Sequence, residues 1–177
     1  MDFSDAELDA FIAKMELIKL EKKKFILEEG EICHHQYFLL EGLVHTFYLD
    51  QDGNERTSSF ALENWWFTSL ESYIKQSPSF YSIQTIEPCV FLKIAKTDLD
   101  ALFDTIPNLE KFFRLMAQNM VIALQRRTDI YQKMISKERY EYFRRNFPEF
   151  FQRVPQYLIA SYLEITPEYL SSLRNSK

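Results

Sequence analysis

The apolar residues of this 177-residue chain follow two different periods, and the switch between them governs what it can fold into. From about Lys24 to Ile94 the runs are short and rich in β-branched or aromatic residues, as in "YFLLEGLVHTFYL" and "ERTSSFAL". Between these two runs, Asp52-Gly53 in "DQDGNE" is a hairpin signal. All three glycines, Gly30, Gly42 and Gly53, fall in this stretch, which predicts three strand-to-strand turns. "FYSIQTI" and "CVFLKI" read as a closing pair of strands around Glu87-Pro88. The segment "ENWWFTSLESYIKQSPS" (63–79) reads as a loop and a short helix. An antiparallel barrel or jelly roll with one helical insertion fits this order.

Helical spacing flanks the strands. Ser4 and Glu7 form a capping box, followed by Leu8, Phe11, Ile12 and Met15 at helical intervals. A short helix is predicted over 96–106, and Pro107 then opens a long one. In it Leu109, Met116, Ala123 and Ile130 recur every seven residues, with Phe113, Met120, Arg127 and Met134 beside them. That is the spacing of a helix pairing with a second helix, which predicts a homodimer through 107–135. The other reading is a long helix lying on its own barrel. If the helix pairs, Phe112 and Leu115 are left to face the barrel while the heptad face meets the partner. A further amphipathic helix (137–147) carries Tyr140, Phe143 and Phe147 and ends at Pro148. The last residues, "VPQYLIASYLEITPEYLSSLR", read as two short helices. The first covers about Gln156 to Leu163, the turn is Glu164-Ile165-Thr166, and the second is capped by Thr166 with Pro167 in its first position.

Composition narrows the function. Apolar residues at 46% and aromatics at 16% indicate a folded chain. No apolar run is long enough to span a bilayer, and "MDFSDAELDA" is not a secretory signal. With two cysteines, this predicts reduced thiols and a cytoplasmic location, with no membrane partner. The net charge of −5 is unevenly spread: residues 1–110 hold 9 basic and 20 acidic side chains, and residues 111–177 hold 12 and 6. The basic part either faces nucleic acid or docks on the acidic part. No phosphate-cradling glycine loop, His-Glu-x-x-His or nucleophile elbow occurs, so no enzyme and no catalytic residue is expected. Cys33-His34-His35, with His45 nearby, resembles a ligand set, but consecutive strand residues point to opposite faces. No metal site is therefore expected there.

A β-roll, a long heptad helix and two short C-terminal helices, in that order, resemble the cyclic-AMP receptor protein and fumarate–nitrate regulator family of bacterial transcription factors. The similarity runs from about Lys19 to Lys177. Its best local match is "KERYEYFRRNFPEFFQRVPQYLIASYLEITPEYLS", which looks like a subgroup with a short C-terminus and no wing after Lys177. The resemblance implies an α+β fold in three parts. Residues 1–106 would be a double-stranded β-helix (jelly-roll, cyclic-nucleotide-binding-like) sensor, 107–135 a dimerisation helix and 136–177 a short helix-turn-helix that binds double-stranded DNA. Iron–sulfur members of the family use several cysteines, whereas this chain has two.

Cyclic-nucleotide binders of the family carry Gly-Glu and then Arg-Ser or Arg-Thr. Here Glu63 follows Leu62, Ser77-Pro78-Ser79 stands where the arginine is expected, and Lys75 is the one cation of the segment. A buried phosphate without its cation is costly, so cyclic AMP is not expected and no cofactor is assigned. The candidate pocket residues are Glu63, Trp65, Trp66, Phe67, Tyr73, Ser79, Phe80 and Tyr81. Their aromatic rings either line a site for a small, mostly apolar effector or fill the space outright. On the second C-terminal helix the candidate DNA contacts are Glu168, Tyr169, Ser171, Ser172, Arg174 and Asn175, joined by Arg153 and Lys177. Better-known members carry arginine where Pro167 and Ser172 stand here. Phosphate-binding charge is expected from Arg126, Arg127, Lys133, Lys137, Arg139, Arg144, Arg145 and Arg153. The alternative is a ligand-binding or protein-interaction module whose helix-turn-helix is a remnant that only packs.

Overall fold

The computed structural model describes residues 2–175; Lys177, one of the candidate DNA contacts, lies outside them with Met1 and Ser176. The chain divides into two units. The first comprises the described residues up to Tyr48 together with Ser59–Ala117, and the second comprises Leu49–Ser58 with the described residues from Gln118 on.

Eight antiparallel strands build a sandwich: β1 (Glu16–Leu20), β2 (Phe25–Leu27), β3 (His35–Glu41), β4 (Val44–Leu49), β5 (Glu55–Ala61), β6 (Trp66–Phe67), β7 (Ser82–Thr85) and β8 (Cys89–Ala95). They form two four-stranded sheets, ordered β1-β8-β3-β6 and β2-β7-β4-β5. The glycines sit where predicted, between β2 and β3, β3 and β4, and β4 and β5. The expected closing pair does not pair with itself. β7 lies between β2 and β4, while β8 lies between β1 and β3, so Ile86–Pro88 carries the chain from one sheet to the other.

Gly42 makes a second such crossing. It has φ +100°, and a Cβ there would stand 2.5 Å from the Pro88 carbonyl oxygen and 2.6 Å from the Cys89 sulfur. The two sheet-changing corners therefore press on each other, and only hydrogen fits between them.

Between the sheets lie Leu27, Cys33, Tyr37, Leu39, Val44, Ile83, Cys89 and Phe91, all buried. The other face of the first sheet is covered by helices. Ile94 packs with Leu99 and Leu102 of α3 (Lys96–Thr105), with Ile106, and with Leu109 of α4 (Pro107–Lys133), while Phe11 of α1 (Asp5–Ile12) and Phe113 of α4 close the edge. The capping box of α1 is present in full, with the Glu7 carboxylate 2.7 Å from the Ser4 N–H.

The face of α4 on the sandwich is the reverse of the expected one. Leu109 is 2% exposed and Phe113 packs beside it, whereas Phe112 and Leu115 stand 37% and 40% exposed. Both pairs make good helical stripes. α3 and Trp66 decide between them, because Phe103 and Trp66 receive the Phe113 ring edge-on at 5.5 and 5.0 Å.

In the second unit α4 continues to Lys133, followed by α5 (Ser136–Asn146), α6 (Pro148–Arg153), α7 (Gln156–Tyr162) and α8 (Pro167–Asn175). Its core is aromatic around Phe143, whose ring centre lies 5.0–5.6 Å from those of Phe147, Phe150, Phe151 and Tyr162.

Candidate functional site

The candidate pocket residues fall into three places. Phe67 faces the interior of the sandwich, stacked on Tyr37 at 5.1 Å, and Tyr73 of α2 (Leu70–Lys75) is buried in the same core. Trp66, its neighbour in a two-residue strand, points the other way and packs against Phe38 and Phe113. Trp65 and Phe80 are 43% and 57% exposed, the latter resting on Tyr48 and Tyr81. The rings thus do not converge on one cavity.

Most polar groups of the segment are engaged within the protein. Gly30 N–H donates to the Ser79 carbonyl and Ser79 N–H to the Glu31 carbonyl, at 2.8 and 2.7 Å. The Ser79 and Ser69 hydroxyls are 2.8 Å apart. Cys33 N–H donates to the Ser72 hydroxyl at 2.8 Å, and the Gln76 amide, at φ +51°, reaches the Cys33 and Tyr73 carbonyls. The Glu63 carboxylate accepts the Gly42 N–H at 3.1 Å, and Lys75 pairs with Glu71 at 2.6 Å. Residues 63–81 contain no arginine. A cyclic phosphate would meet donors already bonded, apart from the Tyr73 hydroxyl, and no guanidinium from residues 63–81, so these residues do not fit a cyclic nucleotide.

Burial raises the hydroxyl pKa values of Tyr37 and Tyr73 and pushes the Cys89 thiol up to about 11. The Tyr73 hydroxyl is buried without a partner. His45, enclosed against Phe47 at 4.8 Å, has its pKa lowered because burial penalises the imidazolium. Cys33 is buried, with its sulfur 3.2 Å from the Thr68 hydroxyl, while His34 is exposed and lies 2.8 Å from the Gln76 side-chain oxygen. Cys33 and His34 therefore diverge, although both lie in the link before β3 and not in a strand.

At the C-terminus, α7 ends in a Schellman motif. Ile165 N–H donates to the Ala160 carbonyl at 3.0 Å, and Glu164 takes the left-handed position at φ +56° where glycine is commoner. The Thr166 hydroxyl accepts the Tyr169 N–H at 3.1 Å and caps α8. Leu158, Ile159, Ala160, Leu163, Leu170 and Leu173 are buried. Glu168, Tyr169, Ser171, Ser172, Arg174 and Asn175 are exposed, and Arg153 is half-buried.

Two expected phosphate-binding cations are engaged inside the second unit. The Arg127 guanidinium lies 4.5 Å over the Tyr162 ring and 5.3 Å over Tyr131; that of Arg139 lies 4.8 Å over Tyr131. Arg139 also donates to the Met134 carbonyl at 3.3 Å and to the Ser136 hydroxyl at 3.1 Å. Charge counting treats such residues as solvated. The i, i+4 spacing of Arg127 and Tyr131 was the available signal that they are not. Arg126, Lys137 and Arg145 remain exposed.

The cyclic nucleotide-binding domain family matches residues 17–106, just over half of the chain, and the chain belongs to that family. Similar solved structures include the c-di-GMP responsive global regulator CLP of Xanthomonas campestris. That match has TM-score 0.78 and 12% identity, covering 96% of this chain and 89% of that one. FixK2 from Bradyrhizobium japonicum superposes with TM-score 0.75 at 17% identity, covering 90% and 82%. The catabolite activator protein of Thermus thermophilus gives 0.63 at 16% identity, covering 98% and 83%. The resemblance to the cyclic-AMP receptor protein and fumarate–nitrate regulator family thus holds for the fold along most of the chain. No curated protein sequence matches the chain. Among the described residues no helix is long and apolar enough to cross a membrane, and no group of three or more His, Cys, Asp or Glu is placed to hold a metal ion.

Proposed function

We propose that the chain is a DNA-binding transcription regulator that works as a homodimer. Residues 1–106 sense, 107–135 dimerise, and 136–177 form a helix-turn-helix that reads double-stranded DNA. The observation that carries this reading is the division of α8 into a buried Leu170–Leu173 side and an exposed side bearing Glu168, Tyr169, Ser171, Ser172, Arg174 and Asn175. A recognition helix offers its outward N-terminal residues to the major groove, where Glu168 can accept from cytosine N4.

Dimerisation is supported by the middle of α4. Met120, Val121, Ile122 and Leu124 are all exposed, and at 100° per residue they cover rather more than half of the helix circumference. An apolar arc that wide calls for cover, which a second copy of α4 supplies. Any effector of the sandwich would be small and mostly apolar rather than a cyclic nucleotide; calorimetric binding of a cyclic nucleotide at micromolar concentration would overturn that part.

The regulator reading is tested by anisotropy titration of labelled duplexes at several salt concentrations. The expected result is a preferred duplex whose binding weakens steeply with salt. Glu168→Ala and Arg174→Ala should each weaken it by about 1–3 kcal/mol. No retention of any duplex at low salt would leave the interaction-module alternative.

A further inference from the structure

Helix α8 is nine residues long, and Leu170 and Leu173 fix how it is rolled, because both are buried. At 100° per residue, Glu168 and Asn175 lie about 170° from the bisector of that pair, and Ser171 and Ser172 about 130°. Arg174 lies only about 70° from it, on a flank of the helix. All five are exposed. The stripe turned most directly away from the core therefore carries no cation. Its chemistry is mainly that of lone pairs. The Glu168 carboxylate only accepts, and the Ser172 hydroxyl already gives its proton to the Tyr169 carbonyl at 2.8 Å. Asn175 both accepts and donates.

We infer that Glu168, Ser172 and Asn175 read exocyclic amino groups, so that the half-site offers α8 cytosine or adenine and not guanine, while Arg174 holds a phosphate on the groove wall. This rests on the DNA-binding reading above. In the major groove cytosine N4 and adenine N6 are donors, whereas guanine shows only the acceptors N7 and O6. Glu168 or Ser172 facing guanine would set lone pair against lone pair, and a desolvated carboxylate without a donor is costly. Asn175 lies seven residues on from Glu168, about 10 Å along the helix axis, which is the rise of about three base pairs. Its amide suits adenine, accepting from N6 and donating to N7. A helix lying in the groove turns its flanks to the phosphates, and Arg174 is on a flank.

The test uses the full chain and a duplex that it retains at low salt. One exocyclic amino group is removed at a time, with purine in place of adenine or 2-pyrimidinone in place of cytosine. Binding should weaken by about tenfold at the positions that α8 reads. Glu168→Gln adds a donor and should admit guanine at one of those positions. Asn175→Ala should abolish the preference at another, about three base pairs away. Arg174→Ala should weaken every duplex by the same factor and lower the salt slope by about one. The substituted side chains are exposed, so the packing of Leu170 and Leu173 stays in place. Three results overturn the inference while leaving DNA binding intact: amino groups removed without loss, a base preference that disappears with Arg174→Ala, or uniform weakening by Glu168→Gln and Asn175→Ala. If the chain retains no duplex at all, the DNA-binding reading fails and takes this inference with it.

Discussion

Gly42→Ala lowers the melting temperature by about 6–12 °C, a loss of about 3 kcal/mol. Two costs add at this residue. Its φ of +100° strains any side chain, and the new methyl carbon would meet the Pro88 carbonyl at 2.5 Å and the Cys89 sulfur at 2.6 Å. Neither neighbour is the loose end of a flexible chain. The proline carbonyl is backbone at a sheet-changing corner, and Cys89 is 2% exposed and paired to Leu20 across β1. Gly53→Ala separates the two costs. Gly53 has φ +78° but nothing within 4 Å of its would-be Cβ, so it should lose only about 1 kcal/mol. Thermal melts of both variants measure the difference. Equal losses would mean that the crossing at Gly42 is not close-packed.

Phe143→Ala should destabilise the second unit by about 3–5 kcal/mol. The ring is 4% exposed and shares its surroundings with four other aromatic rings, contributed by Phe147 in the link after α5, by α6 and by α7. A cavity bounded by rigid rings from two short helices and the link before them cannot collapse cheaply, so the cost belongs at the upper end for such truncations. Hydrogen exchange locates the damage. Protection should fall across α5, α6 and α7 and persist in β3 and β8, whose core is the separate cluster around Leu39 and Phe91. Uniform loss of protection through both units would show that they unfold as one.

How far the sequence reached depended on range. Turn chemistry is local, so Gly30, Gly42, Gly53 and the caps at Ser4 and Thr166 were readable in advance. Which strands would pair was not, because β7 and β8 are neighbours in sequence but belong to different sheets. Strand β1 was missed: "ELIKL" is short and Leu17 faces solvent, so its alternation is weak. β6 has two residues and hence no period, and α6 has only six, beginning at Pro148. The heptads gave the extent of α4 but not its buried side. Leu109 with Phe113 and Phe112 with Leu115 are equally good stripes until α3 is in place.

The candidate sites divide in the same way. The outward residues of α8 followed from helical spacing alone. The fate of the aromatic cluster did not, since Trp66 and Phe67 are adjacent in sequence and lie on opposite faces of a sheet. Arg127 and Arg139 counted as surface cations because the ring of Tyr162 and the carbonyl of Leu163 come from far along the chain.

Selection of duplexes from a randomised pool by the full chain at low salt tests the central claim most directly. A dimer with one α8 per subunit should enrich two inverted half-sites whose centres lie about 34–36 Å apart, or a multiple of that distance. No enrichment over the starting pool, or enrichment of a single unrepeated site, would contradict it.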